Sequence, residues 1–331
     1  MPNVRFLLVA LAAALPGLAL VVGCTGGPTA EQPAGTGDSE ASVLASGLGR
    51  ISLLALADEV VYFAEATAQG VSVRGVPVAG GASFTVAGGL RELPSLAAVG
   101  DACAYPDVTT GDLYWGSRTA SPALAGLGFS GEVGPWISSE DDVLVFGTTD
   151  TGLVASVGIS VPDGSGDSPT APPDLLRAIG AAPDATFLAA GSESVYMAVN
   201  GGATLASLPR SGTAASQPQM VADSIGTIAA IDAAGTRYAA VGSAGVYANG
   251  RVISSTRGAV AVAVTDASVF YTTGTALLAR IGGAAEERIL SANGATAVDA
   301  RGELVVLADN PPGGGRIRLL DVGQSQAQPS G

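Results

Sequence analysis

The sequence contains no histidine and no lysine, and only 2 cysteines among its 331 residues. These absences remove most of the side-chain chemistry an enzyme uses near neutral pH. Without histidine there is no Ser-His-Asp or Cys-His arrangement, because the base that takes the nucleophile's proton is missing. Without lysine there is no Schiff base, no pyridoxal anchor and no Walker-type phosphate loop. A histidine-ligated zinc or copper site is excluded on the same ground, and no cofactor is expected. Aromatic residues make up only 5% of the chain, which weighs against a sugar site built on exposed rings. The 15 cationic residues are all arginine and stand against 29 carboxylates, for a net charge of −14. Nucleic-acid phosphates would be repelled by that excess, so nucleic acid is not an expected partner. A cationic partner, metal ions or simple solubility all suit it.

The chain opens Met1-Pro2-Asn3-Val4-Arg5, followed by an apolar run from Phe6 to Val22 that is broken at Pro16-Gly17. Val21-Val22-Gly23-Cys24 closes the run. A charged start, a short apolar core and a small residue before the cut make up a secretory signal. The run is short for a hydrocarbon core of ~30 Å. A cut after Ala12-Ala13-Ala14 would leave too little apolar core. The last four residues resemble the lipobox of bacterial lipoproteins. That resemblance implies removal of residues 1–23 and acylation of Cys24, which becomes the new N-terminus. Acyl chains add ~0.8 kcal/mol per buried methylene and would hold the protein on a membrane, outside the cytoplasm. Thr25 is not the aspartate that retains such lipoproteins in an inner membrane, so an outer membrane is the expected destination where the host has one.

Residues 24–41 hold no large apolar side chain and cannot offset their ordering entropy, so they read as a disordered tether. With Cys24 acylated, Cys103 has no partner; an intramolecular disulfide is excluded and a buried thiol is expected. The mature chain would carry 14 arginines and a net charge of −15.

Beyond residue 42 no long helical period appears; short apolar stretches alternate with breakers among 47 glycines and 19 prolines. Three segments repeat one another: Val61-Tyr62-Phe63-Ala64-Glu65, Val195-Tyr196-Met197-Ala198-Val199 and Val269-Phe270-Tyr271-Thr272-Thr273. Each is followed by a second strand and a turn closed by glycine. Four weaker copies fill the gaps, at Leu113-Tyr114-Trp115, Leu144-Val145-Phe146, Arg237-Tyr238-Ala239 and Leu304-Val305-Val306. Asp58, Asp141 and Asp266 precede three of the copies by three residues; Asp232 and Asp299 precede two others by five. The copies start 52, 31, 51, 42, 32 and 35 residues apart. A period of ~40–50 residues with four short strands each predicts an all-β propeller. Seven blades are expected over residues 42–323, with six or eight as alternatives, and residues 324–331 form a disordered tail. Arg288-Ile289-Leu290-Ser291 reads as a fourth strand, and residues 42–47 share its pattern, while the last copy lacks one. Residues 42–47 are therefore expected to complete the last blade, removing an open sheet edge.

Tyr62-Phe63-Ala64-Glu65 and Tyr114-Trp115-Gly116-Ser117 resemble the tetrapeptide of YWTD propellers. Val76-Pro77-Val78-Ala79-Gly80-Gly81 resembles the Val-Pro-Leu-x-Gly-Gly turn common in lipoproteins of high-GC bacteria. The final aspartate of the tetrapeptide is missing throughout, and YWTD propellers usually have six blades, so the resemblance implies a fold and carries no ligand. Propeller enzymes that depend on a histidine, such as streptogramin-type lyases, are poor guides to this chain.

Carboxylates are the remaining reactive groups. A glycosidase needs two of them, ~5–9 Å apart; Glu140-Asp141-Asp142, Asp163, Asp167, Asp174 and Asp309 are the candidates. Thr148-Thr149-Asp150-Thr151-Gly152 echoes a sialidase-type Asp box, without the aromatic residue that should follow, and reads as a hairpin turn. Asp163-Gly164-Ser165-Gly166-Asp167 leading to Asp174 has oxygen donors at calcium-loop spacing. It lacks the glycine at position six and is crowded by prolines, so a flexible acidic loop is expected. Arg316-Ile317-Arg318 reads as a solvated strand face. Together these features suggest a monomeric, membrane-anchored binding or scaffolding module for an envelope protein or glycan. The alternative is a carboxylate-dependent hydrolase of envelope polysaccharide, distinguished by a facing pair of acids in the funnel; a lining of Ser, Ala and Gly would favour binding.

Overall fold

The structure, a computed structural model, describes residues 41–119, 123–124, 132–159, 176–281, 288–291 and 295–322. The export signal, Cys24, all of the tether but Ala41, the loop holding Asp163, Asp167 and Asp174, and residues 323–331 lie outside the described residues. Among those described, no helix is long and apolar enough to cross a membrane.

The strands form seven four-stranded antiparallel sheets, each a blade of a propeller. The inner strands are Arg50–Leu56, Ala97–Val99, Val133–Glu140, Thr186–Ala190, Ile228–Ala234, Ala261–Val264 and Ala295–Arg301, in blades 1 to 7. Each second strand is sandwiched between two neighbouring blades and buries both faces, which is why it reads as a continuous apolar run rather than an alternating one. In blade 1, Val61 and Phe63 enter the seam with blade 7, while Tyr62 and Ala64 enter the seam with blade 2. The hydrophobic core is therefore seven seams rather than one centre, and each seam holds its own cluster of buried side chains.

Blade 7 closes the ring as the sequence implied. Ser42–Leu48 pairs antiparallel with Gly315–Asp321 as its outermost strand. Leu44 and Leu48 bury their side chains in the seam between blades 7 and 1.

Two details correct the reading from sequence. Leu113-Tyr114-Trp115 belongs to the third strand of blade 2, Asp112–Ser117; the second strand is Ala102–Asp107, where Cys103 stands in the usual aromatic place. With that strand substituted, the second strands of blades 1 to 3 begin at Val60, Ala102 and Val143, an even 42 and 41 residues apart. Arg316 and Arg318 are not a solvated face. They pair with the fully buried Asp309 at 2.5 and 3.5 Å, and Arg318 is only 11% exposed.

The central funnel as candidate site

The seven inner strands surround a funnel of about 850 Å³. Five of them carry a bulge or longer irregularity near their start, leaving Ser52, Phe187, Ala229, Thr296 and, in blade 3, Trp136 with Gly134 and Pro135 before it without a partner in the second strand. A bulge re-aims the extra side chain, and Ser52, Trp136, Phe187, Ala229 and Thr296 line the funnel. In blades 1, 5 and 7 the bulged residue is small. In blades 3 and 4 it is aromatic, and the Trp136 and Phe187 rings lie 4.4 Å apart at 40°. Both are half-buried. Phe187 holds a left-handed backbone at φ +56°, a conformation that costs a bulky residue on the order of 1–3 kcal/mol and collects at functional sites.

Further along the inner strands, one position repeats around the ring. It faces Tyr62, Cys103, Val145, Tyr196, Ala239, Phe270 and Val306 of the second strands. Its occupants in blades 1 to 7 are Ala55, Ala98, Ser138, Ala189, Asp232, Ala263 and Asp299. The three polar ones each accept a hydrogen bond from the inner strand of the following blade. Ser138 Oγ accepts from the Ala190 N–H at 2.9 Å, Asp232 Oδ2 from Val264 at 2.6 Å and Asp299 Oδ2 from Leu56 at 2.6 Å. An inner strand has one edge without a strand neighbour, so its N–H groups need such acceptors. Asp299 Oδ1 also accepts from the Ala300 N–H at 2.7 Å. Glu140, at the end of the blade 3 strand, accepts from the Gly235 N–H of blade 5 at 2.7 Å.

None of these three carboxylates forms an ion pair among the described residues. Burial pushes Asp232 up to about 8, with the Asp299 charge adding to the rise and the Val264 and Ala233 N–H groups opposing it. Burial likewise raises Asp299 to about 6, against the pull of the Leu56 and Ala300 N–H groups and the Arg301 charge. Glu140 is raised by burial and by Asp141 and Asp266, with Arg210 and the Gly235 N–H opposing. The turns after the inner strands share the face next to Glu140. They expose Asp58, Glu59, Asp101, Asp141, Asp142, Glu193, Asp266 and Glu303. Arg301 at this face is committed to Asp58 at 2.9 Å. Arg237 and Arg210 donate to the backbone carbonyls of Asp266 and Gly191.

Of the carboxylates singled out from sequence, Glu140 and Asp141 line the funnel and Asp142 lies in the adjoining turn. Asp309 is not with them; it is buried in the second strand of blade 7. Thr148–Gly152 forms the turn between the second and third strands of blade 3. Cys103 is buried, donates to the Gly116 carbonyl at 3.4 Å, and burial pushes its thiol far up. Asp232 and Asp299 read as turn acids and prove to be funnel acids; the five-residue offset that separated them from Asp58, Asp141 and Asp266 was the signal. Nothing in the local sequence marked Trp136 or Phe187 as funnel residues. Among the described residues, no group of three or more acidic or cysteine side chains is arranged to hold a metal.

No protein-family model and no curated protein matches the chain. Solved propellers resemble it in fold. Virginiamycin B lyase from Staphylococcus aureus superposes with a TM-score of 0.55 at 10% identity, over 84% of this chain and 97% of that one. The WD40 propeller domain of Doa1 gives 0.59 at 11%, over 88% and 100%. YCF48 bound to D1 peptide gives 0.53 at 13%, over 86% and 96%. At these identities the likeness is one of fold alone.

Proposed function

We propose that this chain is a lipid-anchored, extracytoplasmic binding propeller whose funnel receives part of an envelope protein. Cys24 carries the anchor, residues 24–41 tether the ring, and the destination is an outer membrane where the host has one. The observation that carries the binding reading is the funnel itself: an open cavity with an aromatic pair at one level and carboxylates tied to the frame at another. YCF48, a propeller of similar fold, is described with a peptide bound. Virginiamycin B lyase is a weaker guide. Its catalytically inactive form replaces a histidine by alanine, and this chain has no histidine.

A polysaccharide hydrolase is the second reading, favoured by the three acids that share one cavity with raised and unequal titration. Against it, the carboxyls of Asp232 and Asp299 each accept from backbone N–H groups of the frame, a structural use that needs no catalysis.

Two measurements test the proposal. Intact mass of the membrane-extracted protein should show a chain starting at Cys24 with added acyl mass, lost in Cys24→Ala. A photo-crosslinking residue at the exposed, funnel-lining Val260 should capture an envelope protein in intact cells. An unacylated, released chain would overturn the anchor, and adducts to glycan alone, or none, would overturn the choice of partner. Release of reducing ends from envelope polysaccharide, abolished in Asp232→Asn, would establish the hydrolase instead.

A further inference from the structure

The bulge ring gives the funnel a sided shape. Trp136 and Phe187 form an aromatic wall, while Ser52, Ala229 and Thr296 leave room elsewhere around the ring. Phe187 keeps its strained backbone although a glycine would take the same φ without penalty. Trp136 and Glu140 are four residues apart on one strand, about 13 Å along the funnel wall; Asp232 and Asp299 stand at the level of Ser138, midway between them. The acids at the Ser138 level exceed what the frame requires. Ser138 satisfies the same inter-blade N–H with a neutral hydroxyl, yet the equivalent positions in blades 5 and 7 hold Asp232 and Asp299.

We propose that the funnel receives an extended polypeptide segment carrying an arginine, with its guanidinium between the level of Glu140 and that of Asp232 and Asp299, and a flat or apolar side chain four residues away on Trp136 and Phe187. This rests on the binding reading above and specifies the partner. Charge complementarity selects a cation, since among the described residues no arginine neutralises these acids in an ion pair. Arginine suits the site better than lysine because its planar, weakly hydrated group stacks on rings, pairs with carboxylates and does not lose its proton. A spacing of four residues in an extended segment matches the four residues from Trp136 to Glu140 along the funnel wall.

The occupant would also move a proton. In the empty funnel at pH 7, Asp232 retains its proton; Asp299 and Glu140 face it, and the Val264 and Ala233 N–H groups touch it. A guanidinium favours the ionised carboxylate, so binding releases up to one proton to solvent. A neutral sugar would release none.

The test uses the whole mature protein and an acetylated pentapeptide amide with phenylalanine at one end and arginine at the other. A second peptide carries citrulline, the neutral isostere of arginine, and a malto-oligosaccharide serves as the neutral glycan. Trp115 is buried in the seam between blades 2 and 3, so a ligand-induced change in tryptophan emission reports Trp136. The arginine peptide should change that emission, and calorimetry in buffers of different ionisation enthalpy should detect proton release at pH 7. Citrulline should weaken binding about tenfold, Trp136→Ala about tenfold, and Trp136→Phe much less. Asp232→Asn should keep the fold, since its amide oxygen still accepts from Val264, and should abolish the proton release. Equal binding of the citrulline peptide, tighter binding of the oligosaccharide, or no binding of either peptide at millimolar concentration would overturn the inference. If crosslinks from Val260 still reach an envelope protein, only this inference falls; if they do not, the choice of a protein partner falls with it.

Discussion

Asp232 makes the stability of the ring depend on pH in an unusual direction. In the unfolded chain its carboxyl titrates near 3.8, and in the folded funnel at about 8. Between those values the folded state holds a proton that the unfolded state has lost, so stability is full below about pH 4 and declines as pH rises through 8. Asp299 adds the same trend over a narrower window, ending at about 6. At about 1.4 kcal/mol per pH unit, the ceiling for Asp232 is about 6 kcal/mol. Both residues are partly exposed in the funnel, and screening leaves an expected effect of about 2 kcal/mol. For a domain of this size that is roughly 5 °C in melting temperature. Asp232→Asn removes the titration while preserving shape and the hydrogen bond from Val264. The variant and the parent should melt together at pH 4, and the variant should melt roughly 5 °C higher at pH 8.5. Thermal unfolding at constant ionic strength, followed by circular dichroism from pH 4 to 8.5, measures the difference, and the other titrating groups cancel in it. Parallel melting curves across that range, or a variant that loses stability at pH 8.5, would refute the reasoning.

Asp309→Ala should lower stability by about 3–5 kcal/mol in urea, because it removes an ion-pair partner of both Arg316 and Arg318 at a largely buried site; a loss under 1 kcal/mol would mean that the pairs contribute little. Deleting residues 42–47 removes most of the outer strand of blade 7 and exposes the edge of Gly315–Asp321, so light scattering should show aggregation and the melting temperature should fall. A deletion that leaves both unchanged would sink the closure. Cys103 should stay unreactive toward a disulfide reagent in the native state and react fully in guanidinium, given its burial and raised thiol titration; rapid native labelling would show that blade 2 opens.

The fold was legible because a propeller repeats one pattern, and the second strand is apolar on both faces wherever it occurs. Val61-Tyr62-Phe63 and its copies therefore stand out, and so does the closing strand, whose pattern matched an orphaned last blade. Blade 2 slipped by one strand because its second strand carries Cys103 and Ala104 where aromatics stand elsewhere, while Tyr114-Trp115 next door imitates the motif. The site was harder to see. Whether an inner-strand residue faces the funnel depends on bulges such as the one at Phe187, and a bulge shifts the alternation without leaving a compositional mark. Asp309 illustrates the converse: it resembled a free acid, yet its arginine partners lie seven and nine residues downstream on the adjacent strand, a proximity that only the hairpin register reveals.

The repeated inner-strand position separates what the frame needs from what it carries in addition. Four blades place alanine there, and blade 3 uses Ser138 to receive its neighbour's N–H without any charge. Serine at positions 232 and 299 would serve the same seams and remove the cost of burying two mutually repelling acids above pH 6. A frame selected for stability alone would favour that exchange, and proteins commonly retain such costs where a site needs them. Asp232 and Asp299 thus fulfil two roles that can be separated by substitution. Their acceptor role survives in asparagine or serine, whereas their charge does not. The double variant Asp232→Asn/Asp299→Asn should consequently be the more stable ring at pH 8 and the poorer binder of a cationic segment. A double variant that gained stability and kept its affinity would leave the two acids without any function beyond the frame.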